Sequence, residues 1–141
     1  IMDSHPDLPL GLHAMDLPLY QAGGGASNWG LSIDNSHKPT IWFDMTKTLN
    51  IGQHNFNVLF VPGHSPGHVA FFAIDSNFLI GGDVLFQGGI GRTDLYGGNF
   101  DQLINSIKMH FLPLPNDTII YPGHGDNTTI SAEKQFNPYI T

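Results

Sequence analysis

The 141-residue sequence has no cysteine, a single arginine (Arg92), and charged residues at only 12% of positions. Without thiols, disulfides and thiolate metal sites are excluded, so a metal site here has to be built from imidazole and carboxylate. The same composition permits a reducing compartment, and a cytoplasmic location is expected. No apolar run approaches the ~18 residues needed to span a bilayer. No secretory signal is visible, although a sequence that opens on Ile1 rather than Met carries no information about what precedes it. Five basic residues stand against twelve acidic ones, for a formal net charge of −7, and no basic cluster offsets it. Nucleic acid and anionic membranes are therefore poor partners, and the acidity reads as solubility.

Glycine and proline, by contrast, are abundant. Seventeen glycines and ten prolines without a repeat point to a loop-rich α/β or β protein. Hydrophobic residues make up 40% of the chain, which suits one folded domain over residues 1–141 and is too little chain for two. Pro9–His13 reads as a short buried strand and Asp16–Ala22 as the start of a helix. Gly23-Gly24-Gly25 breaks the chain, and residues 28–40 are polar, with Trp29 and Ile33 as anchors. From Ile41 onward β-rich runs follow at Thr48–Gly52, Phe56–Val61, Val69–Ile74 and Phe78–Ile80, separated by turn clusters such as Gly52–Asn55 and Asp75–Asn77. The clearest helix spans Phe100–Phe111, with Phe100, Leu103, Ile104, Ile107 and Phe111 on one face. Asn99 caps it, and Pro113 and Pro115 end it. A strand at Thr118–Tyr121 and a helix at Ser131–Phe136 close the pattern, which predicts sheet layers covered by helices.

Three segments share one design, in which a buried apolar strand ends in a small-residue turn that presents a side chain able to hold a metal. They are Phe60–His68 (FVPGHSPGH), Phe78–Asp83 (FLIGGD) and Thr118–Gly125 (TIIYPGHG). Glycine beside each candidate ligand lets other groups approach where a Cβ would crowd them. Two imidazoles and one carboxylate, His64, His124 and Asp83, suit Zn²⁺ and also Fe or Mn. A lone His after a strand is usually a hydrogen-bonded loop residue; two Pro-Gly-His strand ends with a Gly-Gly-Asp between them are another matter.

These segments, with Gly82–Phe86, Gly89–Asp94, Leu114–Asp117 and the closing Glu133…Asn137-Pro138, resemble in order the signatures of metallo-β-lactamase-fold hydrolases. The resemblance runs from about residue 8 to the end and is strongest to the short glyoxalase II-like subgroup, which acts on hydroxyacylglutathione-type thioesters. It implies an αββα sandwich, here its C-terminal part only. It further implies that His64 completes the histidine set of a first metal, that Asp83 bridges two metals and that His124 binds the second. Two zinc ions would share a water, lower its pKa to about 7, and polarise the carbonyl of a small-molecule thioester or related ester. The family's His-x-His-x-Asp-His segment is absent from this sequence. It is expected upstream of Pro9–His13, with Ile1–Asp7 as the end of the helix that follows it. The chain is thus expected to begin roughly one-third of the way into the fold and to be inactive alone.

Around these ligands, His68 is a candidate for packing beside the site rather than a ligand, because Pro66-Gly67 rules out the helix that an i, i+4 pair needs. Arg92 could clamp a substrate carboxylate with its planar fork, but an internal Arg92–Asp94 pair is preferred. Thr128 and Thr129 suit a cap for the last helix. Tyr20, Trp29 and Phe86 could line a pocket mouth. His13 reads as structural, and His5, His37, His54 and His110 as solvent-facing. Two other functions compete with thioester hydrolysis. One is a mononuclear iron persulfide dioxygenase, whose last histidine is typically followed by Asp-Tyr where this chain has Gly125-Asp126. The other is a non-catalytic half domain that needs a complementary segment and self-associates through an exposed sheet edge and apolar face.

Overall fold

The structure is a computed structural model and describes residues 5, 7–26, 30–33 and 37–140. The expected anchor Trp29 lies outside the described residues, and Ile33 is exposed rather than buried. The N-terminal expectation is met only in outline. Strand β1 is confined to Gly11–Leu12, a 3₁₀ turn occupies Ala14–Asp16, and α1 runs over Leu17–Gln21 with Pro18 in its first turn. β1 pairs in parallel with β2 (Ile41–Trp42).

The body of the domain is a six-stranded sheet of β3 (Thr48–Ile51), β4 (His54–Phe60), β5 (Val69–Ala73), β6 (Phe78–Gly82), β9 (Ile119–Pro122) and β10 (Thr128–Thr129). Its order is β10-β9-β6-β5-β4-β3, antiparallel throughout except for the parallel β6–β9 pair. The turn between β3 and β4 is Gly52-Gln53 alone, so His54 and Asn55, expected in the turn, already pair with Ile51 and Asn50. Between β6 and β9 the chain makes a hairpin of β7 (Leu85–Phe86) and β8 (Gly89–Ile90). It then forms α2 (Phe100–Ser106), which continues as a wider π turn over Ile107–Phe111. The last helix, α3, covers Ile130–Phe136.

Alternation decides which strand residues meet the helices. One sheet face carries Ala70, Leu79 and Ile120, all buried against Leu103, Ile107 and Phe111 of the α2 segment and Ile130 of α3. Asn99 caps α2 as its spacing predicts, its side chain accepting from Gln102 N–H. Phe100 departs from expectation: it faces solvent at the helix start. The opposite sheet face is also apolar, with Val58, Phe71, Ile80 and Tyr121 in one cross-strand row and Phe56, Phe78 and Ile119 in another. Phe43 packs on Phe71, and His13 stacks on Phe60 at 4.5 Å between ring centres. Toward β9 the cover thins, leaving Ile80 44% and Tyr121 41% exposed. Among the described residues no helix is long and apolar enough to cross a membrane.

Burying a large apolar side chain contributes about 1.5–3 kcal/mol, and truncating it also leaves a cavity. Phe111, fully buried between helix and sheet, should therefore cost about 3–5 kcal/mol on substitution by alanine. Phe136→Ala, at an exposed position of α3, should stay within about 0.5 kcal/mol. Urea unfolding of both variants beside the parent measures the difference.

Candidate metal centre

The first strand end is pinned from both sides. Gly63 adopts φ +134°, and a Cβ there would lie 2.4 Å from the Leu103 backbone, so only glycine lets the loop settle on α2. Asn99 N–H donates to the Gly63 carbonyl at 2.7 Å and Ser106 Oγ to that of Pro62 at 2.7 Å. From the other side Asp16 accepts from Ser65 Oγ at 2.7 Å and from Gly67 N–H at 2.6 Å. His64 projects from the loop so held. Its Nδ1 lies 2.9 Å from the Arg92 carbonyl, which can only accept, so Nδ1 carries the proton. The lone pair of Nε2 is then directed at Asp83, 3.6 Å from Oδ2.

Asp83 follows β6 directly after Gly82, which sits at φ +56°. Two other glycines make room for it. A Cβ on Gly91 would fall 2.0 Å from the Asp83 carbonyl oxygen, and one on Gly123 would fall 2.1 Å from Oδ1 of its carboxylate. Gly123 N–H also donates to the Gly82 carbonyl at 2.9 Å, joining the second and third strand ends. His124, one residue on, places Nδ1 3.2 Å from Asp83 Oδ1.

The structure thus brings His64, Asp83 and His124 together, each imidazole facing a different oxygen of one carboxylate. Two nitrogen or oxygen ligands at ordinary zinc distances of about 2.0–2.2 Å and near-tetrahedral angles lie roughly 3.4 Å apart, so both separations suit an ion held between the pair. Among the described residues no three such side chains enclose a single ion. His64 and Asp83 are largely shielded, whereas His124 is 72% exposed and opens to solvent. The three residues line a cavity of about 310 Å³ together with Phe86, Ile90, Gly91 and Arg92. Phe86 lies against the His124 ring, 4.6 Å between centres.

His68 does not join them. Its ring stands perpendicular to His64 at 5.7 Å, and its Nε2 sits where a Cβ on Gly82 would be, 2.5 Å away. Burial, then the neighbouring His64, lowers its pKa below the ordinary value, so at neutral pH it is an uncharged spacer under the Gly82–Asp83 turn. Arg92 donates Nε and Nη2 to the two oxygens of Asp94, each at 2.8 Å, and its backbone rather than its side chain touches His64. Tyr20 lines a separate cavity with Leu17, Lys38 and Trp42, and donates to the His37 carbonyl. His13 is buried, and His37 and His110 are half-buried rather than solvent-facing. Thr129 caps α3 through Ala132 N–H, and Thr128 instead donates to Glu133. Asp16 has no local sequence signal, since its partners lie 49 and 51 residues away.

The hydrogen bonds from Arg92 hold the Asp94 carboxyl down at about 2, below its ordinary 3.8. A depressed carboxyl favours the folded pairing above its ordinary value, and the pairing is lost as the pH falls through about 2. Carbon-detected titration of Asp94 should give a midpoint near 2, and Arg92→Gln should return it toward 3.8. An unchanged midpoint in the variant would remove the ion pair as the cause.

With this geometry in place, comparisons with known proteins are specific. The Metallo-beta-lactamase superfamily matches residues 2–124. Hydroxyacylglutathione hydrolase GloC of Haemophilus influenzae is 44% identical over 116 residues, covering 82% of this chain and 55% of that protein. The chain spans about half the length of the curated relatives it matches. Among solved structures, the B3 metallo-beta-lactamase BLEG-1 superposes with a TM-score of 0.91 at 38% identity, covering 99% of this chain and 68% of that one. TTHA1623 in a di-iron-bound form superposes with a TM-score of 0.83 at 40% identity, covering 98% and 67%. The chain belongs to the metallo-beta-lactamase superfamily, with the metallo-beta-lactamase fold and hydrolases of the glyoxalase II-like kind among its relatives.

Proposed function

We propose that the protein carrying this chain hydrolyses a small-molecule thioester or related ester at a centre of two divalent cations, with His64, Asp83 and His124 among the ligands. The observation that carries this reading is the split carboxylate of Asp83, one oxygen 3.6 Å from His64 and the other 3.2 Å from His124. An anionic carboxylate between two cations offsets charge that a neutral amide would leave unbalanced. His64 enters with its tautomer already set by the Arg92 carbonyl, the usual way an imidazole ligand is oriented. Phe86 and Ile90 give the cavity an apolar wall that holds an acyl group and limits bulk water. When bound, a metal pair supplies a water acidic enough to act near neutral pH and polarises the acyl carbonyl. Zinc suits the donor set, and the di-iron form of TTHA1623 supports iron as the other resident metal. Two donors at each position are fewer than the three protein ligands usual in a catalytic zinc site, so we place the remaining ligands outside the described residues.

Similarity to GloC, a hydroxyacylglutathione hydrolase by name, supports a thioester. The superposition on BLEG-1 favours a β-lactam as the second substrate class. A persulfide dioxygenase is the weaker reading, because Gly125-Asp126 follows His124 in place of Asp-Tyr.

The test is steady-state hydrolysis by the metal-replete protein across a thioester, a lactone, a phosphoester and a β-lactam. Thioester turnover is expected to lead. His124→Ala should lower kcat/KM by more than the ~10–100-fold that outer-shell changes cause. Turnover confined to the β-lactam would move the protein to the second class, and no turnover of any would remove the hydrolase reading.

A further inference from the structure

Glu133 and Asn137 lie one turn apart on and just after α3, and both are buried, at 2% and 0% exposure. A carboxylate taken out of water needs compensating donors, and Glu133 has three. Oε2 accepts from Gly88 N–H at 3.0 Å and from Asn137 Nδ2 at 2.7 Å, and Oε1 accepts from Thr128 Oγ1 at 2.5 Å. The Asn137 amide also donates to the Gly89 carbonyl at 3.0 Å. Gly88 lies in the turn of the β7–β8 hairpin and Gly89 opens β8, so the pair grips that hairpin by its tip. The base of the hairpin is anchored already, since Leu85 lies in the core, Ile90 packs against it and Gly91 N–H donates to the Val84 carbonyl at 3.1 Å. The tip, where Phe86 pairs with Gly89, is what the clamp holds. Docking of α3 needs no such polar cluster, because Ile130 and Ile140 already pack it on the core. A buried polar cluster contributes little net stability against an apolar one of the same shape and serves better to fix geometry.

We propose that Glu133 and Asn137 are positioning residues that fix the β7–β8 hairpin and thereby hold Phe86 against His124 as the wall of the cavity. The link to substrate rests on the metal-centre reading above; the link from clamp to His124 does not. Phe86 and Ile90 flank the hairpin turn and both line the cavity, so a loosened tip displaces the wall while leaving the strand ends that carry His64 and Asp83 in place.

The experiment is NMR of the full chain with labelled imidazoles, comparing Glu133→Gln, Asn137→Leu, Thr128→Val and Phe86→Leu with the parent. Phe86→Leu calibrates the signal by removing the ring current on His124. Glu133→Gln and Asn137→Leu are expected to move the His124 carbon-bound proton signals toward their Phe86→Leu positions. The His64 signals and the buried methyl signals of Leu79 and Ile120 should stay. Thr128→Val, which spares both contacts to the hairpin tip, should leave His124 unmoved. In thioester hydrolysis the two clamp variants should raise KM several-fold with kcat little changed. The proposal is overturned if His124 is unmoved in a folded clamp variant, or if Thr128→Val moves it as far. Loss of the core methyl signals in both clamp variants also overturns it, since the pair would then support the whole domain. Absence of turnover in every protein, with the NMR shifts as expected, would remove the hydrolase reading and leave the clamp standing.

Discussion

Everything in the cavity depends on where Asp83 puts its two oxygens. That placement is a backbone achievement before it is a side-chain one. Gly82 turns the chain at a left-handed φ, and Gly91 and Gly123 leave the carbonyl and carboxylate of Asp83 the space a Cβ would take. The second and third strand ends can then hydrogen-bond to each other, with His64 of the first 3.6 Å from the Asp83 carboxylate. The parallel β6–β9 pair sets Gly82 beside Pro122, which is why the second and third segments arrive side by side. The first segment needs its own supports, from α2 on one side and Asp16 on the other.

The sheet that carries these ends is unequal on its two faces. One is sealed by α2, its π turn and α3. The other presents a row of apolar side chains only partly covered by the β1–β2 segment and the rings of His13 and Phe43. Exposed apolar rows of this kind favour association.

Much of this was legible in the sequence because the signals were local. An apolar run ending in Pro-Gly-His or Gly-Gly-Asp marks both a strand and its exit, so His64, Asp83 and His124 could be picked out together. The α2 helix was readable from its spacing, its Asn99 cap and its prolines, although Phe100 proved solvent-facing and the last turn widened to π. What escaped had no local signature. Strands of two residues, such as β7, β8 and β10, are too short to show a period. Asp16 reads as an ordinary acidic residue until the fold carries it to Ser65 and Gly67. Tyr20, set beside Phe86 as a pocket residue, belongs to a different cavity, which it lines with Leu17, Lys38 and Trp42.

The central claim is that one carboxylate joins two imidazoles into a metal centre, and metal-to-protein stoichiometry by elemental analysis tests it most directly. The protein carrying this chain should retain metal after exhaustive dialysis, and His64→Ala and Asp83→Ala should each lower the stoichiometry while keeping the parent's circular dichroism. Metal retained undiminished in a folded Asp83→Ala protein would contradict the account, because no ion would then depend on the residue about which the centre is built.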